Sequence, residues 1–138
     1  MRIVIAEDSD LMAKILTRLI ERRGWSVAGR AVSAREVLPV VRAAEPDLVT
    51  LDLNLPEGGS LELIAGISEL AVPVVVISAA TYEGSPATAE AFRHGASACV
   101  DKSRLGQPEE LWAALEAARE QAGSPASIDA PRTGATAG

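Results

Sequence analysis

Five short runs of apolar, β-branched residues alternate with five helical segments along this chain, and that alternation limits the folds it can adopt. The runs predict strands near residues 2–6, 27–31, 47–51, 73–77 and 97–101. The segments that follow them predict helices near 10–23, 34–45, 60–69, 86–94 and 108–121. Strands that alternate with helices form βα units around a parallel sheet. We therefore expect one α/β domain, and a chain of 138 residues with 48% apolar content can bury a core of its own.

Capping residues mark where several of the helices should begin. Ser33 and Glu36 have the spacing of a capping box, in which each side chain binds the backbone N–H of the other residue. Ser85 followed by Pro86 has the pattern of a cap with proline at the first helical position. Pro39 conflicts with the pattern, because its ring and its missing N–H should kink or shorten the second helix.

Carboxylates follow two of the predicted strands, at the point where each strand ends. Glu7 and Asp8 come after the first strand, and Asp52 comes after the third. Parallel strands bring such residues to one edge of the sheet, where two like charges 4 Å apart repel by about 4 kcal/mol at an effective dielectric of about 20. A cation must offset that repulsion, and ligands that are all oxygen suit Mg²⁺ better than zinc. We therefore expect a magnesium site that handles phosphate.

Two further polar residues follow the last two predicted strands. Ser78 comes after the fourth strand and Lys102 after the fifth. A hydroxyl donor and an ammonium are groups that neutralise phosphoryl oxygens. With these groups at the same edge, Asp52 is the best candidate for a nucleophile.

Each of these residues also has an ordinary structural explanation. Glu7 and Asp8 could cap the helix that follows them, and Asp52 could form an Asx turn. Taken alone, Ser78 would be a loop hydroxyl and Lys102 a solvated surface amine. Their joint occurrence at strand ends, where open α/β sheets bind ligands, favours a functional site.

These residues, in this order, resemble the receiver domains of bacterial two-component response regulators. The likeness covers residues 2–121: an acidic pair after the first strand, an acceptor aspartate after the third, a hydroxyl after the fourth and a lysine after the fifth. Pro56, Gly58-Gly59-Ser60 and Gly95-Ala96 match as well. Within the family the chain is most similar to the receiver of the chemotaxis methylesterase, on residues 50–52, 77–84 and 92–96.

The resemblance implies a flavodoxin-like fold, a doubly wound five-stranded parallel sheet in the order 2-1-3-4-5 with five helices. It implies that Asp52 accepts a phosphoryl group from a phosphohistidine on a sensor histidine kinase or a histidine phosphotransfer protein. Ser78 would bind a phosphoryl oxygen, and Lys102 would pair with Asp52 or its phosphate. The modified domain would then change its affinity for a downstream protein.

The same resemblance assigns ligands for Mg²⁺. Asp8 and Asp52 would bind the ion directly, and Glu7 would act mainly through a metal-bound water. Asn54 would offer its backbone carbonyl. The family also docks its phosphohistidine partner at the start of the first helix, which makes three apolar residues there candidates for that contact: Leu11, Met12 and Ile15.

Two residues depart from the family pattern and leave a second function open. Cys99 stands where receivers commonly have an aromatic ring, and Ser103 replaces a common proline, which we expect to loosen the loop after Lys102 or to alter its peptide geometry. These changes put the usual output switch in question, so the alternative is a pseudo-receiver or adaptor that binds its partner irrespective of phosphate. A phosphatase with a nucleophilic aspartate would need a second carboxylate two residues on, where Asn54 stands.

Charge and composition narrow the partners and the location. A net charge of −6 and a pI near 4.8 argue against a nucleic-acid surface. No apolar stretch approaches the ~20 residues of a membrane span, and the N-terminus enters a strand without a secretory leader. A single cysteine excludes an internal disulfide. We expect a cytoplasmic protein without membrane insertion.

The end of the chain differs in composition from the rest. Residues 123–138 are rich in small residues and proline, which predicts a disordered tail or the beginning of a linker. Residues 1–122 are then the receiver domain. On the last predicted helix, Leu111, Leu115 and Ala118 share the core stripe, and Trp112 should lie at the edge of that stripe, partly buried; the alternative is an aromatic side chain that faces a partner.

Overall fold

The computed structural model describes residues 1–123 and contains one parallel sheet of five strands in the order β2-β1-β3-β4-β5. The strands are β1 (Arg2–Ala6), β2 (Ser26–Ala31), β3 (Leu48–Leu51), β4 (Val74–Ser78) and β5 (Ala98–Asp101). The helices are α1 (Asp10–Arg22), α2 (Ala34–Ala44), α3 (Ser60–Ser68), α4 (Pro86–Arg93) and α5 (Pro108–Gly123), with a short 3₁₀ turn at Lys102–Arg104. The predicted flavodoxin-like α/β fold, its strand order and its five helices are confirmed.

The predicted tail, 123–138, starts at the last residue of α5, and residues 124–138 lie outside the described part of the chain. The domain boundary at residue 122 therefore stays a prediction. Within residues 1–123, no helix combines the length and the apolar character that crossing a membrane requires.

The sheet separates two apolar clusters because successive side chains of a strand point to opposite faces. In β1, Ile3 and Ile5 belong to the cluster that α1 and α5 cover, whereas Val4 and Ala6 belong to the cluster under α2 and α3. The central strands β3 and β4 are buried along their whole length, as expected for parallel strands with helices on both faces. The polar residues at the strand ends are therefore attached to strands that are packed in the core.

The edge strand β2 carries a one-residue register shift. Ile3 of β1 pairs with Val27, but Val4 pairs with Gly29, so that Ala28 is skipped. A Cβ at Gly29 would lie 3.0 Å from Cγ1 of Val40, which shows how closely α2 packs on this strand. The shift also places Arg30 beside Ile5, on the face covered by α1.

Neither shortening at Pro39 nor a capping box at Ser33 occurs in α2. Pro39 does not shorten the helix, which continues to Ala44. The capping box does not form either: Glu36 accepts a hydrogen bond from Val32 N (3.1 Å), and the buried hydroxyl of Ser33 has no hydrogen-bond partner among the described residues. The start of α2 is instead attached to the β3–α3 loop, because Ala34 N donates to the carbonyl of Pro56 (3.4 Å).

The contact between α1 and α5 confirms the prediction that Trp112 is partly buried. Its ring is half-buried, and its Nε1 donates to the carbonyl of Leu19 (2.9 Å). The guanidinium groups of Arg22 and Arg23 lie 5.2 and 5.5 Å from the centre of this ring. Cation–π contacts of this kind favour a fixed packing of α5 against α1.

Candidate functional site

Three carboxylates meet at the carboxyl edge of the sheet because β1 and β3 are neighbours in register. Ala6 pairs with Leu51, so the next residues, Glu7 and Asp52, leave their strands side by side. One oxygen from each of Glu7, Asp8 and Asp52 lies within 4.8 Å of the others. Glu7 and Asp52 are buried, at 1% and 4% exposure, and Asp8 is exposed. This acidic cluster brings together the three carboxylates that the sequence placed at strand ends.

Lys102 joins the cluster through two ion pairs. Its Nζ lies 2.9 Å from Oδ2 of Asp52 and 2.9 Å from Oε1 of Glu7, and its side chain is 19% exposed. Burial by itself lowers the pKa of this amine, but the hydrogen bonds to Asp52 and Glu7 outweigh it, so the pKa lies above its ordinary value. Lys102 is therefore a permanent cation that neutralises one of the three carboxylate charges.

Asp101 and Ser103 form two hydrogen bonds in the loop that carries Lys102, where the family commonly has a proline. Asp101 caps the 3₁₀ turn that begins at Lys102, and its Oδ1 accepts hydrogen bonds from both the N–H and the hydroxyl of Ser103, each at 2.9 Å. These two bonds hold the pKa of the Asp101 carboxyl below its usual range. The side chain of Ser103 thus ties the loop to the end of β5.

Both buried carboxylates have both of their oxygens bonded. Glu7 binds Lys102 with one oxygen and accepts from Ser9 N (3.0 Å) with the other. Asp52 binds Lys102 with one oxygen and accepts from Asn54 N (3.0 Å) with the other. A carboxylate has about four acceptor sites, so these bonds orient the groups and still leave lone pairs for further ligands. Asn54, a predicted ligand, thus contacts Asp52 through its backbone.

Ser78 lies at the same edge but makes no hydrogen bond to the cluster among the described residues. The last β3–β4 pair joins Leu51 to Val76, and β4 ends at Ser78, two residues later. Its buried hydroxyl accepts a hydrogen bond from Ala80 N (3.3 Å), within the β4–α4 loop. Its O–H is not used in that bond and is left to donate to a further group.

Sequence reasoning missed Thr81, which ties this loop to β5. Its hydroxyl is within 3.0 Å of the carbonyls of both Ser78 and Val100, and the residue is buried. A polar residue three positions after Ser78 was the available signal, but a loop threonine is ordinarily solvated. Arg30 was missed as well, although it is the one charged residue in the β2 run.

Cys99 packs at the margin of the apolar cluster under α2 and α3 and is half-buried. Burial raises the pKa of its thiol to about 11. The thiol is therefore neutral at physiological pH, and a neutral thiol is a poor nucleophile. This agrees with a packing role.

We expect iodoacetamide to alkylate Cys99 slowly at pH 7.5 and much faster as the pH rises above 10, because the thiolate forms only near its raised pKa of about 11. Intact mass gives the rate directly, since the chain has one cysteine. Free glutathione, alkylated in parallel, controls for the reagent. A Cys99 rate equal to that of glutathione at pH 7.5 would contradict the assignment.

Comparison with known proteins agrees with this geometry. The family model of the response regulator receiver domain matches residues 3–116. The protein-glutamate methylesterase/protein-glutamine glutaminase of Halobacterium salinarum is 31% identical over 121 residues, which cover 82% of this chain and 35% of that protein. The corresponding protein of Archaeoglobus fulgidus is 35% identical over 103 residues, covering 74% and 30%. The chain spans about a third of the length of these relatives.

Solved structures show the same likeness. The response regulator domain of Thermotoga maritima CheB superposes with a TM-score of 0.81 at 26% identity, covering 87% of this chain and 96% of that one. A LuxR-family response regulator from Aurantimonas superposes with a TM-score of 0.77 at 34% identity, covering 92% and 91%. The similarity to the methylesterase receiver is confirmed, and the chain belongs to the family of response regulator receiver domains.

Proposed function

We propose that this receiver domain accepts one phosphoryl group on Asp52 from a phosphohistidine donor, and that the modification alters its affinity for a protein partner. The observation that carries the proposal is the double pairing of Lys102 with Asp52 and Glu7 inside a cluster of three carboxylates. That arrangement keeps a nucleophilic oxygen, a fixed cation and a set of metal ligands together at one sheet edge. A sensor histidine kinase or a histidine phosphotransfer protein fits as the donor.

The acidic cluster suits Mg²⁺ by its chemistry. All its donors are oxygens, the three ligand atoms lie within 4.8 Å of one another, and Lys102 offsets only one of three negative charges. Asp8 and Asp52 would hold the ion directly, Glu7 through a water, and Asn54 through its backbone carbonyl. When bound, Mg²⁺ would neutralise negative charge on the phosphoryl oxygens.

The residues of the chain position the transfer itself. An oxygen of Asp52 forms a bond to phosphorus while the P–N bond of the donor breaks and the imidazole nitrogen keeps its electron pair. Lys102, already 2.9 Å from Asp52, offsets charge on the transferred group. The O–H of Ser78, whose oxygen accepts from Ala80 N, would donate to a phosphoryl oxygen and draw the β4–α4 loop toward Asp52.

Incubation with acetyl phosphate and Mg²⁺ tests the proposal, with intact mass as the measurement. We expect the addition of a single phosphoryl group, and no addition when EDTA removes the cation. The incubations with Mg²⁺ and with EDTA are repeated with a phosphorylated histidine phosphotransfer domain as the donor. The comparison distinguishes a failure of the small donor from a failure of the chemistry. Absence of labelling from both donors would leave the phosphate-independent adaptor as the function.

The adaptor alternative rests on Cys99, because a small thiol cannot fill the space that an aromatic ring would occupy when Ser78 moves. If phosphorylation does change the structure, the change must then be transmitted through residues 79–86 and not through the side chain at Cys99. That segment is bonded internally: the hydroxyl of Ser85 donates to the carbonyl of Ala80 (2.8 Å), and the hydroxyl of Thr88 donates to the carbonyl of Tyr82 (3.0 Å). It can move as a unit with the start of α4.

Beryllofluoride, a phosphoryl mimic, should shift the amide resonances of residues 79–86 most strongly. Thr81 joins this segment to β5, so a smaller shift is expected at Val100. Two-dimensional ¹H–¹⁵N spectra with and without the mimic measure the pattern. Shifts restricted to the immediate site would favour the adaptor, and large shifts centred on Cys99 and Trp112 with a silent 79–86 segment would contradict the proposed route.

A further inference from the structure

The loop between β1 and α1 is only three residues long, 7–9, and a side chain from another strand bridges its two ends. Nε of Arg30 donates to the carbonyl of Glu7 (3.0 Å), and its Nη1 donates to Oδ1 of Asp10 (2.9 Å). Glu7 is the first residue of this loop and Asp10 the first residue of α1. The guanidinium therefore fixes the loop that carries Glu7 and Asp8.

The register of β2 determines where this guanidinium lies. Arg30 stands beside Ile5 on the edge strand, on the face that α1 covers, and it lines the groove between β2 and α1. Its Nη2 is buried without a hydrogen-bond partner among the described residues. Since two of the three nitrogens bind loop groups and the third is enclosed, Arg30 has little freedom to adopt another arrangement.

Asp8 is the member of the acidic cluster that depends most on this loop. Its carboxylate is exposed and accepts no hydrogen bond from the described residues, unlike the carboxylates of Glu7 and Asp52. Its position is thus set by the backbone. The carbonyl of Glu7 belongs to the peptide unit that joins Glu7 to Asp8, and that unit is planar. A hydrogen bond that orients this carbonyl therefore also orients the Cα of Asp8.

We propose that Arg30 is a positioning residue for Asp8 and thereby sets the affinity of the acidic cluster for a divalent cation. This inference rests on the proposed function, because it assigns a role to Asp8 in cation binding. The Arg30–Asp10 pair is neutral overall, so its effect on a cation is geometric rather than a change of net charge. The side chain of Asp10 is 87% exposed, and exposed ion pairs are weak, so the bond from Nε to Glu7 carries the effect.

A Mg²⁺ titration followed by the amide resonances of residues 8 and 9 tests the proposal. The key protein is the double variant Arg30→Met, Asp10→Asn, which removes both hydrogen bonds and leaves the net charge unchanged. We expect its Kd for Mg²⁺ to rise about 10-fold, the lower end of the loss seen when a supporting partner of a metal ligand is removed. Asp10→Asn alone is the matched control and should change Kd by less than about threefold.

A double-mutant cycle separates positioning from a general loss of structure. If Arg30 acts through Asp8, then Arg30→Met should cause no further loss of affinity in a protein that already carries Asp8→Asn, because the ligand it positions is gone. Additive losses would overturn the proposal. Arg30→Lys, which keeps the charge but not the two-point contact, serves if Arg30→Met does not fold, and it should also weaken binding.

The outcomes distinguish this inference from the proposed function. A wild-type protein that binds no Mg²⁺ and takes up no phosphoryl group contradicts the proposed function itself. If the wild type binds Mg²⁺ and the Arg30→Met, Asp10→Asn variant has the same Kd, only the role of Arg30 is contradicted. Tighter binding by the double variant would also overturn it.

Discussion

Asp52→Asn is expected to abolish phosphorylation of this domain by acetyl phosphate or by a phosphohistidine donor. The amide is nearly isosteric with the carboxylate but lacks the anionic oxygen that attacks phosphorus. Asp52 is also the carboxylate that lies within 2.9 Å of Lys102 while its other oxygen accepts from Asn54 N. Intact mass after incubation with Mg²⁺ and the donor measures the loss.

The substitution also has a structural cost, which the experiment must separate from the chemical one. Both oxygens of Asp52 accept hydrogen bonds, and an amide can accept with only one of its two ends. One donor therefore loses its partner, at a cost of about 1–3 kcal/mol. Thermal unfolding must show that the variant is folded at the labelling temperature.

Asp47→Asn is the matched control, because it makes the same change at the opposite end of β3. Asp47 precedes the strand and binds Arg2 N (2.7 Å), far from the acidic cluster along the strand. The Asp47→Asn variant should be phosphorylated at the wild-type rate. Labelling of Asp52→Asn at the wild-type rate would refute the assignment of the acceptor.

Lys102→Met should lower the free energy of unfolding by about 3 kcal/mol in the absence of Mg²⁺, the lower end for removing one partner of a buried ion pair. The substitution keeps most of the side-chain volume but leaves Glu7 and Asp52, at 1% and 4% exposure, without their cation. Denaturant unfolding measures the difference. We expect Mg²⁺ binding to be retained, because Lys102 is not among the proposed ligands, and bound Mg²⁺ should restore part of the lost stability by binding the folded state.

The pH dependence of this stabilisation has a definite sign. The folded-state pKa of Lys102 is raised, so its contribution is complete below the unfolded pKa of about 10.4 and is lost only as the pH rises through the folded value. The difference between wild type and Lys102→Met should therefore persist from pH 6 to pH 9. A difference that disappears within that window would contradict the paired geometry.

Arg104→Met provides the control for Lys102→Met. It removes a cation from the same 3₁₀ turn, but one that is exposed and pairs with Glu110 on the surface (2.9 Å). Such pairs contribute about 0–1 kcal/mol. If the two variants lost the same free energy of unfolding, the burial of Lys102 would add nothing to the stability of the protein.

The succession of elements and the location of the acidic residues could be predicted from the sequence because both are local properties. β-Branched runs and helical periods indicate strands and helices without reference to the rest of the chain, and every predicted element lies within two residues of its observed bounds. Glu7, Asp8 and Asp52 directly follow strands, so a parallel sheet was enough to bring them together. The strand order came from the family resemblance.

Other features depended on non-local contacts and could not be predicted. The capping box at Ser33 failed because the start of α2 docks on the β3–α3 loop through Pro56, so tertiary packing overrode a local pattern. At Ser103, where the family commonly has a proline, the sequence alone did not indicate that Asp101 accepts two hydrogen bonds from this residue.

By itself, then, the sequence determined a parallel α/β domain with a set of carboxylates, a hydroxyl and a lysine at one edge of its sheet, because these follow from local periodicity and residue type. Only the tertiary structure decided which of these groups touch. It placed Lys102 between Glu7 and Asp52, left Ser78 bonded within its own loop, and slipped β2 by one residue so that Arg30 reaches the loop of Asp8. The physical reason is that contacts of a few ångströms depend on strand register and helix docking, which no single segment of the chain contains.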